Sequence, residues 1–177
     1  PGFIAAQAAQ LRDALQSSTR PHLVFTAHSL PVSMADKCEY VVQLEEAMRL
    51  VLDAVGRTDA DLVYQSRSGP PHVSWLSPDI NDHLHRLANE GINEVVLVPI
   101  GFVSDHMEVA WDLDTQAAAT ASDCGISLVR AGTVGTNALF VAGLCALIQE
   151  RISDAGPSRS IGLLPALPDF CAENCCQ

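Results

Sequence analysis

The chain has 177 residues, about 48% of them apolar, and a formal net charge of −11 at pH 7. This length and apolar content are sufficient for one domain with a hydrophobic core. The negative charge argues against nucleic-acid binding, which needs clustered Lys and Arg. No apolar run approaches the roughly 20 residues of a membrane span, so we expect no transmembrane segment. The first residue is Pro1, and no signal peptide is recognisable, so we expect either a processed chain or a piece of a longer protein.

Apolar periodicity predicts helices that alternate with strands. The predicted helices are residues 4–17, 39–55, about 79–89, 105–121 and 137–152, with Ser77 or Asp79 as the cap of the third. The predicted strands are residues 22–27, 61–65, 93–100 and 126–130. This order predicts an α/β fold with a four-stranded parallel sheet and helices on both faces. The residues of the last helix predicted to face the core are Leu139, Phe140, Leu144, Leu147 and Ile148.

Polar side chains follow three of the predicted strands. They are His28 and Ser29 after the first strand, Arg67 after the second, and Asp105, His106 and Glu108 after the third. Because the carboxyl ends of parallel strands form one edge of a sheet, these side chains are predicted to line one cleft. An imidazole with a carboxylate suits Fe(II), Zn(II) or Co(II), and it equally suits proton transfer. Packing and helix capping, for example by Asp105, are the simpler alternatives.

Two further features fit such a cleft. Glu108 and Asp112 are four residues apart, so their carboxylates share a helix face, where a cation would relieve their repulsion. Trp75 and Trp111 are the only tryptophans; they are either core residues or walls for a flat apolar ligand. The residues alone therefore predict an α/β domain with a metal or proton-transfer cleft.

Three blocks of the sequence resemble the ferrochelatases. They are TAHSLP at residues 26–31, QSR with the following GP and WLSP at residues 65–78, and VPIGFVSDHME at residues 98–108. The resemblance covers residues 3–152 and implies the C-terminal half of the family's chain. That half is a Rossmann-like, chelatase-type lobe, one of two similar lobes. We therefore assign residues 1–156 to this lobe, with the first helix packing on the N-terminal lobe, and residues 157–177 to a cysteine-containing tail.

The resemblance implies insertion of Fe(II) into a porphyrin in haem biosynthesis, with release of two pyrrole protons. Similarity to the actinobacterial branch implies coproporphyrin III rather than protoporphyrin IX. It also implies that His28 and Glu108 are catalytic and contact the substrate iron, and that Asp112 lies on a path for the metal. The residues implied to bind porphyrin are Ser29, Arg67 and Trp75. Because the other lobe supplies much of the porphyrin surface, we expect this chain alone to be nearly inactive.

The tail resembles that of family members which hold a [2Fe–2S] cluster. This resemblance implies that Cys171, Cys175 and Cys176 are cluster ligands. A cluster needs four protein ligands, and the fourth is not identified. Cys38, Cys124 and Cys145 are present in the chain, but the family takes this ligand from sequence upstream of His28, so we expect it upstream of Pro1.

Other interpretations stay open at this point. One is a chelatase that loads cobalt or nickel into another tetrapyrrole. Another is a haem- or iron–sulfur-binding module without turnover. The six cysteines do not form the framework of a small secreted fold, so we expect a cytoplasmic protein. The sequence does not predict an oligomeric state.

Overall fold

The structure, a computed structural model, describes residues 1–153, 160–166 and 173. The strands are β1 (His22–His28), β2 (Asp61–Gln65), β3 (Glu94–Val98) and β4 (Ser127–Arg130). The helices are α1 (Gly2–Leu15), α2 (Val32–Ala35), α3 (Tyr40–Val55), α4 (Ile80–Asn89), α5 (Ala118–Asp123) and α6 (Ala138–Ile152). A π-helix (Val109–Ala117) runs directly into α5. All four predicted strands are present, and the short helix α2 was not predicted.

The four strands form one parallel sheet in the order β2-β1-β3-β4. β1 is therefore an inner strand between β2 and β3. Phe25 of β1 pairs with Leu62 on one side and with Val98 on the other. This arrangement confirms the predicted α/β fold with a four-stranded parallel sheet.

Helices cover both faces of the sheet, as predicted. On one face, Leu11 of α1 shares a core cluster with Phe25, and α3 contributes to the same cluster. On the other face, Leu84 of α4 and Leu113 of the π-helix share a cluster with Val24. Val24 and Phe25 are adjacent in sequence and face opposite sides, as the period of two in a strand requires. The apolar strands are buried on both sides for this reason.

The prediction that α6 packs its apolar residues into the core is wrong. α6 lies on α1, which itself covers the sheet, so α6 belongs to an outer layer. The two helices approach so closely that a Cβ atom on Gly2 would lie 3.0 Å from the Cα atom of Gly143. Phe140 is half-buried, with its ring centroid 6.2 Å from that of Phe3. The other four predicted core residues of α6 are exposed: Leu139, Leu144, Leu147 and Ile148.

α6 is apolar but is not a membrane span. No helix in the described part of the chain is both long and apolar enough to cross a bilayer. The exposed apolar residues of α6 continue to Ile152, which is 79% exposed. A contiguous apolar surface of this kind is typical of a region that another protein segment covers.

Two helix boundaries agree with their sequence signals. The carboxylate of Asp79 accepts a hydrogen bond from the backbone N–H of Asn81 at 2.8 Å, so Asp79 and not Ser77 caps α4. Gly56 ends α3 in the left-handed conformation, with φ 71°.

Candidate functional site

The site lies in a crevice at the carboxyl edge of the sheet. The chain leaves β1 toward α3 on one face, whereas it leaves β3 toward the π-helix on the other face. β1 and β3 are neighbours, so the two connections diverge and open a crevice between them. His28 is the last residue of β1, and Glu108 immediately precedes the π-helix that follows β3. The strand order therefore places these two predicted residues on opposite sides of the same crevice.

His28 and Glu108 face each other across this crevice. The Nε2 atom of His28 lies 3.6 Å from the Oε1 atom of Glu108. This separation is too long for a direct hydrogen bond. The side chains are 32% and 51% exposed, so both are open to a ligand from solvent. The pair can share a proton or hold an ion between them after a small movement.

Local hydrogen bonds determine which ring nitrogen of His28 is available as a base or a metal ligand. The Nδ1 atom lies 2.6 Å from the carbonyl oxygen of Ser29. A carbonyl oxygen can only accept, so Nδ1 carries the hydrogen and, in the neutral ring, Nε2 keeps its lone pair. The hydroxyl of Tyr40 donates to the carbonyl oxygen of His28 at 3.0 Å and fixes the backbone of the residue. Burial raises the pKa of Tyr40 to about 12, so this hydroxyl keeps its proton at neutral pH. No sequence signal pointed to Tyr40.

The loop that leads to Glu108 is held against the end of β1. The backbone N–H of Gly101 donates to the carbonyl oxygen of Thr26 at 3.1 Å. A Cβ atom on Gly101 would lie 2.7 Å from the Cβ atom of Ala27, so only glycine allows this approach. The segment that carries Glu108 is therefore positioned by the same strand that carries His28.

The prediction that Asp105 caps the following helix is wrong. Its carboxylate lies 3.2 Å from Nη1 of Arg130, the last residue of β4. The Nδ1 atom of His106 instead accepts a hydrogen bond from the backbone N–H of Glu108 at 3.2 Å. His106 thus caps this turn, while Asp105 ties the loop to β4.

Asp112 lies one turn further along and has its own partner. Ser66, which follows β2 and has φ 63°, donates a hydrogen bond from its hydroxyl to the Asp112 carboxylate. Asp112 is half-buried and lies within a π-helix, a rare conformation that often occurs at functional sites. Among the described residues, Asp112 does not form a three-donor group within 4.8 Å with His28 and Glu108. Its place on a path for metal or protons stays a prediction.

The loop after β2 forms another wall of the crevice. Ser29 is buried, and its hydroxyl donates to the carbonyl oxygen of Leu76 at 2.8 Å. This hydrogen bond anchors the loop after β2 to the end of β1. Trp75 is partly buried against Gly69, where a Cβ atom would overlap the indole ring. Arg67 is exposed, and its Nη2 atom lies 3.5 Å from the carbonyl oxygen of Val73. Binding of porphyrin by Ser29, Arg67 and Trp75 stays a prediction.

Large apolar side chains are exposed on the segments that carry the site. Met34 on α2 is 56% exposed, Met107 is 79% exposed, and Trp111 of the π-helix is 57% exposed. Met107 and Trp111 flank Glu108 in the sequence, and α2 follows His28 after three residues. These side chains combine with the polar pair to suit a flat, largely apolar ligand.

The cysteines implied to bind a cluster, Cys171, Cys175 and Cys176, lie outside the described residues. Among the described cysteines, Cys38 and Cys145 are exposed thiols. The Sγ atom of Cys124 lies 3.1 Å from Nδ1 of His85. Residues 160–166 of the tail lie along α3, where the backbone N–H of Leu163 donates to Glu46 at 2.6 Å.

The crevice between β1 and β3, where the chain connections leave on opposite faces, is the switch point of the sheet. An all-parallel α/β lobe with an imidazole and a carboxylate facing each other at this point is suited to metal binding or proton transfer. Comparison with known sequences identifies the family. The model of the Ferrochelatase family matches residues 1–152. The chain therefore belongs to the ferrochelatase family, as the sequence blocks predicted.

Curated relatives give the same assignment. The chain is 46% identical over 181 residues to the ferrochelatase of Rhodopirellula baltica, covering 99% of this chain and 52% of that protein. It is 44% identical over 188 residues to the coproporphyrin III ferrochelatase of Propionibacterium freudenreichii, with 99% and 52% covered. It is 43% identical over 197 residues to the coproporphyrin III ferrochelatase of Nocardia farcinica, with 99% and 55% covered. The chain thus spans about half the length of the curated relatives it matches.

Proposed function

We propose that this chain forms one wall of the active site of an enzyme that inserts Fe(II) into a porphyrin in haem biosynthesis. The observation that carries the proposal is the 3.6 Å separation of His28 Nε2 and Glu108 Oε1 in the switch-point crevice. Membership of the ferrochelatase family supports it. Iron is a substrate in this reaction, and no redox step is needed.

The two facing side chains suit the proton chemistry of metal insertion. A porphyrin loses two pyrrole protons when it takes up a divalent ion, so bases are needed beside the macrocycle. In the neutral ring of His28, Nε2 is such a base, because Nδ1–H is engaged with Ser29. Glu108 is exposed on the opposite side and is an oxygen ligand for the arriving iron or a second acceptor. Asp112 follows on the π-helix and is proposed to extend the acidic path.

We propose that the porphyrin is coproporphyrin III rather than protoporphyrin IX. The names of several relatives at 41–45% identity specify coproporphyrin III. Coproporphyrin carries four propionates, which favour a cationic partner at the rim of the cleft. Arg67 is exposed beside the crevice and is the residue of this chain proposed for that contact. Trp75 and Ser29 are proposed to line the same side.

The remaining half of the longer protein is proposed to complete the site. In our proposal, residues 1–156 form the C-terminal lobe, and the other lobe supplies further porphyrin contacts. The same half is proposed to pack on α1 and to cover the outer layer formed by α6. The exposed side chains of Leu144, Leu147 and Ile148 support this role, since they form an apolar surface that the described residues leave uncovered.

A [2Fe–2S] cluster is proposed for the tail. Cys171, Cys175 and Cys176 are three thiols within six residues, a donor type that fits such a cluster. The fourth ligand is proposed to come from the other half of the longer protein. Insertion of Fe(II) needs no electron, so the cluster would have a structural or regulatory role.

Iron insertion by the longer protein tests the proposed function. We expect Fe(II) to be incorporated into coproporphyrin III faster than into protoporphyrin IX, measured anaerobically by absorbance. His28→Ala and Glu108→Gln should each lower kcat by at least about 100-fold, as loss of a positioned acid or base does. Porphyrin binding, followed by fluorescence quenching, should change much less.

A matched control and two outcomes make this test decisive. His85→Gln alters an exposed histidine on α4, outside the crevice and its walls, and should leave kcat within about twofold, as expected for an isolated surface change. Full kcat in both the His28→Ala and Glu108→Gln proteins would contradict the assigned roles. Incorporation of Co(II) into sirohydrochlorin, without iron insertion into either porphyrin, would identify a different chelatase.

A further inference from the structure

A second group of metal-ligand side chains lies at the opposite edge of the sheet. His22 begins β1, Asp61 begins β2, and His83 lies on α4. His22 and His28 occupy the two ends of β1, which places them about 20 Å apart at about 3.3 Å per residue. The His22–Asp61–His83 group is therefore separate from the crevice that holds the facing pair.

The three side chains point their ligand atoms at one place. The Nε2 atom of His22 lies 2.7 Å from Oδ2 of Asp61, and the Nε2 atom of His83 lies 3.1 Å from the same oxygen. One ligand atom from each residue lies within 4.8 Å of the others. Ligands about 2.0–2.1 Å from a tetrahedral zinc ion are roughly 3.3 Å apart, so small shifts would admit an ion between them.

His83 is the buried member of this group. The side chain is only 2% exposed, and its Nε2 atom has no hydrogen bond of acceptable geometry among the described residues. The distance of 3.1 Å from Nε2 to Oδ2 of Asp61 is within hydrogen-bonding range, but the N–H direction does not meet the requirements of a hydrogen bond. Buried polar atoms without a partner are rare in native proteins, and an ion or a water is a common explanation.

We propose that the His22–Asp61–His83 group binds one divalent first-row transition-metal ion. Its ligands are Nε2 of His22, Nε2 of His83 and the carboxylate of Asp61, and water completes the coordination. Two imidazoles with one carboxylate form the donor set that Zn(II), Fe(II) and Co(II) favour. His22 is 24% exposed and Asp61 is 37% exposed, so the site is open to solvent on one side.

The ion has an entry route from solvent. A cleft of about 580 Å³ at this edge of the sheet includes His22 in its lining. Arg20, Arg57, Asp59 and Glu94 also line it, so the cleft is polar and carries both signs of charge. His83, a buried residue of α4, closes the inner side of the group.

Arg86 is the competitor of the metal. Its Nη2 atom lies 3.4 Å from Oδ2 of Asp61 and 3.2 Å from Nδ1 of His83. When Nε2 of His83 binds a metal, Nδ1 must carry the hydrogen, so the guanidinium has to withdraw. Arg86 is about half exposed and already contacts Glu90 at 2.6 Å through Nη1, so it can withdraw without burying its charge. Removal of Arg86 should therefore strengthen metal binding.

Zinc binding by the longer protein tests this site. The parent is the Glu108→Gln protein, so that the facing pair with His28 contributes less to binding. Isothermal titration calorimetry with Zn(II) and metal analysis after gel filtration give the affinity and the stoichiometry. We expect His22→Gln and Asp61→Asn each to remove about one equivalent of Zn(II) or to weaken its binding at least tenfold. Arg86→Gln should strengthen this binding severalfold.

The controls keep the result specific to the proposed group. His72→Gln removes an exposed histidine elsewhere and should leave Zn(II) binding unchanged. All cysteines are identical among the variants, so differences report on the histidines and Asp61. Circular dichroism melting establishes that each variant is folded, and His83 is left intact because it is buried. Unchanged Zn(II) binding in either folded variant overturns the proposal. Iron insertion is not a readout, so this failure is distinguishable from failure of the proposed function.

Discussion

Gly101 and Ala27 are in contact where the loop after β3 crosses the end of β1. A Cβ atom on Gly101 would lie 2.7 Å from the Cβ atom and 2.8 Å from the Cα atom of Ala27. Both atoms belong to Ala27 on a buried strand and cannot move aside. Gly101→Ala should therefore displace the loop and widen the gap between His28 and Glu108. We expect a loss of about 1–3 kcal/mol in the free energy of unfolding, which is typical of overpacking.

Chemical denaturation and iron insertion by the longer protein measure these effects together. We expect kcat to fall more than tenfold, because displacement of a catalytic group by about 1 Å can cost about 100-fold. Gly91→Ala is the matched control: Gly91 has φ 83°, but nothing lies within 4 Å of its added Cβ atom. It should reduce stability while leaving kcat near that of the parent. Equal kcat values for the two variants would show that the contact with Ala27 does not position Glu108.

The hydrogen bond from Ser66 to Asp112 joins the end of β2 to the π-helix. Ser66→Ala should leave the Asp112 carboxylate without this donor and lower the free energy of unfolding by about 1–2 kcal/mol, as for a hydrogen bond to a charged group. If Asp112 lies on the metal or proton path, kcat should fall several-fold without a change in porphyrin affinity. Ser68→Ala, at an exposed position two residues later, is the control. A loss of stability with unchanged kcat would confine Asp112 to a structural role.

His83 makes stability depend on pH. Burial lowers the pKa of His83 below its usual value of about 6.5, although Asp61 acts in the opposite direction. The unfolded chain therefore binds a proton near pH 6.5 that the native protein does not yet bind. The stabilising effect is complete above about pH 6.5 and is lost as the pH falls through the lowered pKa. The free energy of unfolding of the metal-free protein should fall between pH 7 and pH 5.

Urea denaturation of parent and variants across this range checks the dependence on pH. His83→Gln should flatten it, because glutamine does not titrate. His72→Gln should keep the slope of the parent, since His72 is exposed. Identical slopes in the parent and His83→Gln proteins would contradict the prediction.

The exposed face of α6 gives a prediction for the longer protein. Leu147 is 54% exposed in this chain, and we propose that the other half covers it. Leu147→Glu should then lower the Tm of the longer protein, because a charge would be buried at a packed surface. Gln149→Glu, at an exposed position on the same helix, should have little effect. A Tm unchanged by Leu147→Glu would show that this face stays in solvent.

The sequence predicted the strands well because each is a continuous apolar run between turn residues. It also predicted which polar residues follow the strands. It could not predict that His28 and Glu108 meet, because that depends on the order β2-β1-β3-β4. Strand order is a property of how the crossovers pack, and apolar periodicity carries little information about it. Only the family resemblance paired these two residues in advance.

The wrong prediction for α6, the unpredicted π-helix and the wrong cap at Asp105 each have a physical cause. α6 is apolar on most of its surface, so periodicity could not show which side faces the protein, and α1 lies between it and the sheet. The π-helix follows from a shift in backbone hydrogen bonds that leaves no pattern in residue type. Asp105 has the residue type of a cap, yet the cation of Arg130 attracts it more strongly than the helix start does. The cytoplasmic location and the cluster ligands stay predictions.

The two side chains that face each other across the crevice differ in their freedom to move. His28 is fixed by a strand paired on both edges, by Tyr40 and by Ser29. Glu108 is half exposed, on a segment held by Gly101, by the ion pair of Asp105 with Arg130 and by His106, and its own carboxylate has only His28 nearby among the described residues. A flat ligand that enters the crevice therefore meets a rigid base on one side and an adjustable carboxylate on the other. Ions of different radius can then be accommodated by movement of one loop, without breaking a single hydrogen bond of the sheet.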